Sequence, residues 1–191
     1  ISQDATVLRG CTPEGHTFAL GSWERPTGAA LGRWLDAHPG EMDWSVTRAE
    51  VHQAVRELHA NYRIGLMLCD TPKWLTEIET WAKIWGKERV LAFDTNQATR
   101  FAPAVDRWLT GLREGTHTHD GDPLVDRHVE AAHLRKVRLV DQEEDGRTRY
   151  VIVKGDDHGR IDGAVADILA YEAAMTMPPP PSTAPRIYGS F

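Results

Sequence analysis

The sequence predicts an α/β protein, a mixed sheet flanked by helices on both faces. Three observations predict it. Two strand-like stretches, Thr6 to Cys11 and His16 to Trp23, open the chain as a hairpin. Two short apolar runs follow, Ile64 to Cys69 and Arg89 to Phe93, as expected of central strands buried on both faces. Around them, apolar residues recur at helical spacing. Strands that alternate with helices build a sheet covered on both sides.

The elements follow in order. Thr12-Pro13-Glu14-Gly15 is a turn, with Pro and Gly setting the backbone. Residues 24 to 46 carry Pro26, Gly28, Gly32, Pro39 and Gly40, and read as a long irregular connection held down by Trp34 and Trp44. Thr47-Arg48-Ala49-Glu50 matches a capping box, and Val51, Val55, Leu58 and Tyr62 form one apolar stripe behind it. After Asp70, Thr71-Pro72 starts a helix with Pro in its first turn, buried through Trp74, Ile78, Trp81 and Trp85 and ended by Gly86.

Asp94-Thr95-Asn96-Gln97 is a polar connection. The next helix runs to about Leu112 with Phe101, Val105, Trp108 and Leu109 on one face; Pro103 fits only a first turn. His117 to Pro123 is a loop, and a short helix passes through Leu124, His128 and Val129. Arg135 to Val140 and Arg149 to Lys154 form a hairpin across the polar tip Glu143-Glu144-Asp145-Gly146. A last helix runs from Asp162 to about Met175, stopped by Pro178 to Pro181. The chain divides into one domain over 1–177 and a proline-rich, disordered tail over 178–191.

Composition excludes several classes. The 191 residues suffice for one domain with a sizeable core. No apolar run approaches the roughly 20 residues that span a bilayer, and no signal peptide is visible. Two cysteines, Cys11 and Cys69, make no disulfide framework, which favours a reducing compartment. A net charge of −6 argues against coating nucleic acid through bulk charge, but not against a nuclease whose acidic site draws positive charge from metals. The abrupt start at Ile1 reads as that of a fragment, truncated at its N-terminus.

Two aspartates carry the chemistry. Asp70 closes a buried strand and Asp162 opens a helix. Ligand sites in open α/β sheets lie at the carboxyl ends of strands. Two carboxylates at such element ends can share a divalent cation, and carboxylate-held metals hydrolyse phosphodiesters. Each has an alternative: Asp70 as the cap of the helix at Pro72, Asp162 as the N-cap of its own helix. Gly163 allows close approach of a backbone or of DNA.

Asp156 and Asp157 are a solvated turn or an auxiliary acid pair, with Asp157 or His158 as a candidate for a second metal. Lys154 is a phosphate contact or a surface lysine. His117, His119 and Asp120 have metal-ligand composition, yet a turn on Asp120-Gly121 accounts for them equally simply. His128 and His133 are too far apart to share a helix face. Arg135, Lys136, Arg138, Arg147 and Arg149 share one hairpin and suit a DNA backbone or a mixed-charge surface. The tryptophans sit mostly on apolar stripes, as core.

Taken as an ordered set, several pieces resemble one family. They are Ser2 to Thr6, Leu68-Cys69-Asp70-Thr71, the Trp81-Ala82 helix, Phe93 to Gln97, His119 to Pro123, and Lys154-Gly155-Asp156-Asp157 with Ile161 to Ala166. In this order they resemble the C-terminal nuclease domain of the large terminase subunit of tailed bacteriophages. The resemblance implies a ribonuclease H-like fold and an endonuclease that cuts concatemeric double-stranded viral DNA with two divalent cations, Mg²⁺ or Mn²⁺. It matches Asp70 and Asp162 to two metal-binding acids. It implies an N-terminal ATPase in the same protein, the portal protein and the small terminase subunit as partners, and the host cytoplasm as the place of action. The family's first catalytic aspartate lies ahead of the stretch that resembles Ser2 to Thr6, so this chain lacks it. The rival reading is a non-catalytic docking module of the packaging motor, its contact the proline-rich tail.

Overall fold

The computed structural model describes residues 5–138, 148–156 and 159–177. Strand β1 (Thr6–Cys11) and strand β2 (His16–Trp23) pair antiparallel, with a register shift at Leu8/Arg9. Helices α1 (Gly28–Ala37) and α2 (Arg48–Asn61) lead to β3 (Met67–Asp70). Helix α3 (Leu75–Trp85) connects it to β4 (Val90–Phe93), which pairs parallel with β3 and sets Asp70 opposite Phe93. Then come α4 (Ala98–Glu114), β5 (Thr118–His119), α5 (Pro123–Glu130), the antiparallel pair β6 (Ala132–Val137) and β7 (Arg149–Lys154), and α6 (Asp162–Thr176).

The strands divide the interior into two cores, as alternation of side chains across a sheet requires. One core gathers Phe101, Val105, Trp108, Ile168 and Leu169 from α4 and α6, with Leu68 and Cys11 packed against it. The other gathers Val51, Val55, Ile78 and Trp81 from α2 and α3, with Cys69, Met67 and Leu8. Neighbouring residues of β3, Leu68 and Cys69, thus face different cores, and so do Leu8 and Cys11 of β1. Helices cover both faces, as the apolar runs predict. Helix α6 is apolar on nearly every side, the mark of a helix enclosed on all sides rather than along one stripe.

Several local expectations change. Residues 28–37 form a helix, not an irregular connection; none of its residues is buried, although Leu31, Trp34 and Leu35 stand at helical spacing. The capping box does not form: the Thr47 side chain caps nothing, and Glu50 accepts a hydrogen bond from the Trp23 indole at 3.0 Å. Helix α3 starts at Leu75, after Lys73 adopts a positive φ of 74°. Pro103 lies inside α4, beyond its first turn. Thr118 and His119 pair parallel with β2 as β5, where a loop was expected. The second hairpin begins earlier, at Ala132. Its polar tip, Arg147, Leu139 and Val140 lie outside the described residues, as do Ser2 to Asp4, Asp157, His158 and the tail beyond Met177.

Candidate active site

Asp70 and Asp162 line the same cavity, of about 750 Å³, between β1 and β3. Helix α6 runs alongside β1 in the same direction, because Asp162 meets Ala5 and Asp167 meets Arg9. Met177, just beyond the far end of α6, packs on Gly65, just before β3 begins.

Asp70 is held from β4's side of the sheet. Its Oδ1 accepts the Thr95 hydroxyl at 2.9 Å and the Thr95 amide at 3.3 Å. Burial pushes its carboxyl above the usual range; hydrogen bonds from Thr95 and the Thr71 backbone oppose the rise, and the charge of Asp94 adds to it. The helix expected at Pro72 starts later, so Asp70 is not its cap. Asp94, at the equivalent position after β4, accepts bonds from the Asn96 amide and the Gln97 side chain.

Asp162 is the first residue of α6, not its N-cap. Ile161 occupies the cap position, with no side-chain cap bond. The Oδ2 of Asp162 accepts the Ala5 amide at 3.2 Å. The Gly163 amide donates to Nδ1 of His128 at 2.8 Å, so His128 satisfies a helix-end donor in place of an N-cap. An added Cβ on Gly163 would stand 2.8 Å from that same nitrogen, so the close approach at this glycine is by the imidazole ring. With Nδ1 accepting, the proton of neutral His128 sits on Nε2, which faces Glu24 Oε1 at 3.4 Å. Glu24 also receives Arg127 and Arg160. Burial would raise its carboxyl, but the bonds from Arg160 and His128 outweigh this and hold it below the usual range.

A buried network sets how far α6 slides along β1. Arg9, with 1% of its side chain exposed, pairs with Asp167 and Asp120 at 3.0 Å each and with Asp122 at 3.5 Å. Asp167 also accepts the Trp108 indole at 2.9 Å and faces Nε2 of His117 at 3.3 Å. Burial drives the Asp167 carboxyl upward, yet hydrogen bonds from His117 and Trp108 and the charge of Arg9 bring it below the usual range. The sequence reading named none of Thr95, Glu24 and Arg9 as site residues. Asp94 was legible in principle, because it ends a buried strand just as Asp70 does.

The remaining candidates among the described residues do not line this cavity. His117 is buried against Thr17 and Asp167, whereas the Asp120 carboxylate takes Arg9 and the Ala19 amide, so these residues form a structural turn and not a metal cluster. Asp156 accepts the Gly159 amide, which is the turn reading. Arg135, Lys136 and Arg138 are exposed on and just after β6, Lys154 ends β7, and Arg149 pairs with Asp106; none of them lines the cavity. Cys69 and Cys11 are free thiols pushed up to about 12, chiefly by burial and then by Asp70 and Asp167 respectively. Among the described residues, no group of three His, Cys, Asp or Glu side chains is assembled to hold a metal ion. The described donor set is two hard carboxylates, which suits a cation such as Mg²⁺ that keeps several of its waters.

The architecture is a mixed α/β, ribonuclease H-like fold of the kind seen in phage large terminases. It superposes on the crystal structure of the HK97 bacteriophage large terminase with a TM-score of 0.61 over 90% of this chain and 37% of that one, at 18% identity. The Gene 13 proteins of Mycobacterium phages L5 and D29 are each 25% identical over 182 residues. That match takes in 90% of this chain but 27% of each relative, so the chain spans about a quarter of their length. No family model matches. No helix among the described residues is long and apolar enough to cross a membrane.

Proposed function

We propose that this chain is the endonuclease domain of a phage DNA-packaging terminase, which cuts concatemeric double-stranded DNA in the host cytoplasm. One observation supports the reading: Asp70, at the carboxyl end of β3, and Asp162, in the first turn of α6, line one cavity. The fold it shares with a large terminase and its phage relatives support the same reading.

Asp70 and Asp162 would hold two divalent cations, Mg²⁺ or Mn²⁺, with Asp157 as a further ligand. Ions held there would supply an activated water and stabilise charge on the leaving 3′ oxygen. The chain's own residues orient this pair. Thr95 fixes the rotation of the Asp70 carboxylate, His128 holds the first turn of α6, and Arg9 with Asp167 fixes that helix along β1. Lys154, Arg135, Lys136 and Arg138 would touch DNA phosphates away from the reacting bond, positioning the duplex without reading its sequence. Partners would be double-stranded DNA, the portal protein, the small terminase subunit and an ATPase domain in the same polypeptide.

The test is plasmid cleavage by the full-length protein. Cleavage should require Mg²⁺ or Mn²⁺, stop on chelation and return when the metal is restored. Full cleavage in excess chelator would overturn the reading. Portal binding with no divalent uptake by calorimetry would favour a docking module instead.

A further inference from the structure

Lys73 is the one non-glycine residue with a positive φ among the described residues, at 74°. The other positive-φ positions are Gly15, Gly28, Gly40, Gly86, Gly115 and Gly121. A left-handed backbone strains any residue that carries a Cβ, whereas glycine adopts it freely. Strained residues persist only where their surroundings hold them, and they cluster at ligand sites. Position 73 keeps a long cationic side chain where glycine would relieve the backbone.

The hold comes from Arg48. Its guanidinium donates to the Lys73 carbonyl at 2.9 Å, pairs with Glu77 and lies 4.8 Å over the Trp74 ring. Arg48 is thus engaged on three sides and fixes the turn between β3 and α3. Lys73 is exposed and lines the cavity that Asp70 and Asp162 also line. Three residues of chain reach at most about 11 Å, so Lys73 stands within that distance of Asp70. Each strand of duplex DNA carries a phosphate about every 3.4 Å of helix axis, so that reach covers roughly three nucleotide steps. Arg135, Lys136 and Arg138 of the second hairpin do not line this cavity.

We propose that Lys73 is a DNA backbone contact of the candidate site, its ammonium binding a phosphate within about three nucleotides of the bond that is cut, and that Arg48 is the positioning residue that holds its turn. The identity of the ligand rests on the nuclease reading. Because the contact lies away from the reacting phosphorus, it binds ground state and transition state alike.

The full-length protein is tested first with a short duplex in excess chelator, which separates binding from cleavage. Lys73→Met and Lys73→Gly should each weaken binding about tenfold and lower the slope of log affinity against log salt by about 0.9. Lys73→Arg should keep the slope. Methionine retains the strained backbone and glycine relieves it, so equal losses assign the effect to the charge. A loss in one of the two alone, or in neither, would overturn the proposal. Duplexes with an abasic aldehyde at successive positions, reduced with borohydride, give a direct readout: an adduct should map to Lys73 by peptide mass spectrometry, and adducts confined to other lysines would overturn it. With Mg²⁺, Lys73→Met should raise KM about tenfold and leave kcat within about twofold. A fall in kcat at unchanged KM would overturn the assignment. Plasmid left intact by the wild type, with Lys73 still trapped, would refute the nuclease reading and uphold the contact. Cleavage with no adduct at Lys73 and unchanged affinity would do the reverse.

Discussion

Asp70→Asn in the full-length protein should lower Mg²⁺-dependent plasmid cleavage by at least ~10³-fold, about 4 kcal/mol of transition-state stabilisation, with no loss of Tm. The two halves of this expectation have different causes. Activity falls because an amide is a poor ligand for a hard divalent cation. Stability holds because the carboxylate is a burden to the fold. Burial raises the folded-state pKa of Asp70 above its ordinary value, and Asp94 adds to the rise. A carboxyl with a raised folded pKa costs stability above its unfolded pKa and returns it as pH falls. The neutral amide removes that cost at pH 7, and its oxygen still accepts the Thr95 hydroxyl. Tm should therefore equal or exceed that of the wild type. Asp162→Asn should lose activity to the same degree, with the Ala5 hydrogen bond kept by the amide oxygen. A variant that cleaves at the wild-type rate removes that residue from the site, whereas a drop in Tm for Asp70→Asn contradicts the electrostatic argument.

Arg9→Met should cost about 3–5 kcal/mol of stability, a large share of the roughly 5–15 kcal/mol available to a domain. Arg9 and Asp167 are both nearly inaccessible, so removing the guanidinium leaves a buried carboxylate short of its countercharge. Asp120 and Asp122 are partly open to water and suffer less. Arg9→Lys should recover only part of the loss, since an ammonium lacks the fork that reaches three carboxylates. The double variant Arg9→Met with Asp167→Asn should be more stable than Arg9→Met alone, which urea titration would measure as a coupling energy.

The same network predicts a pH effect. The folded pKa of Asp167 is depressed, so its contribution is complete above the unfolded value of about 3.9 and is lost as pH falls through the folded value. Without Arg9, burial is less opposed, the folded pKa climbs, and acid unfolding should begin at a higher pH. An unchanged acid midpoint would mean that Trp108 and His117 alone hold the carboxylate.

The fold was readable where periodicity and burial coincide. The stripe of Val51 and Val55 and the apolar run to Cys69 reached the same core by different spacings, and both were visible. Helix α1 was not, because Gly28, Gly32 and Pro39 speak for loops and obscured the helical spacing of Leu31, Trp34 and Leu35. β5 was hidden in a polar stretch, where pairing to β2 depends on backbone groups that any sequence has. Of the candidate site, the positions of the strand-end and helix-end acids were legible: Asp70 ends β3 and Asp162 opens α6. Arg9, Thr95 and Glu24 were not, because long-range polar pairing leaves no trace in local spacing. His128 read only as a position along a short helix; its role at Gly163 depends on the packing of α5 against α6.

Crystals of the full-length protein soaked in Mn²⁺ and measured at the manganese absorption edge address the central claim most directly. The account predicts an anomalous peak at the end of the β1–β3 cavity, with oxygens of both Asp70 and Asp162 within roughly 2.0–2.3 Å of an ion or of a close ion pair. Manganese bound only at the His119–Asp120 turn, or no peak beside two carboxylates that face apart, would contradict it.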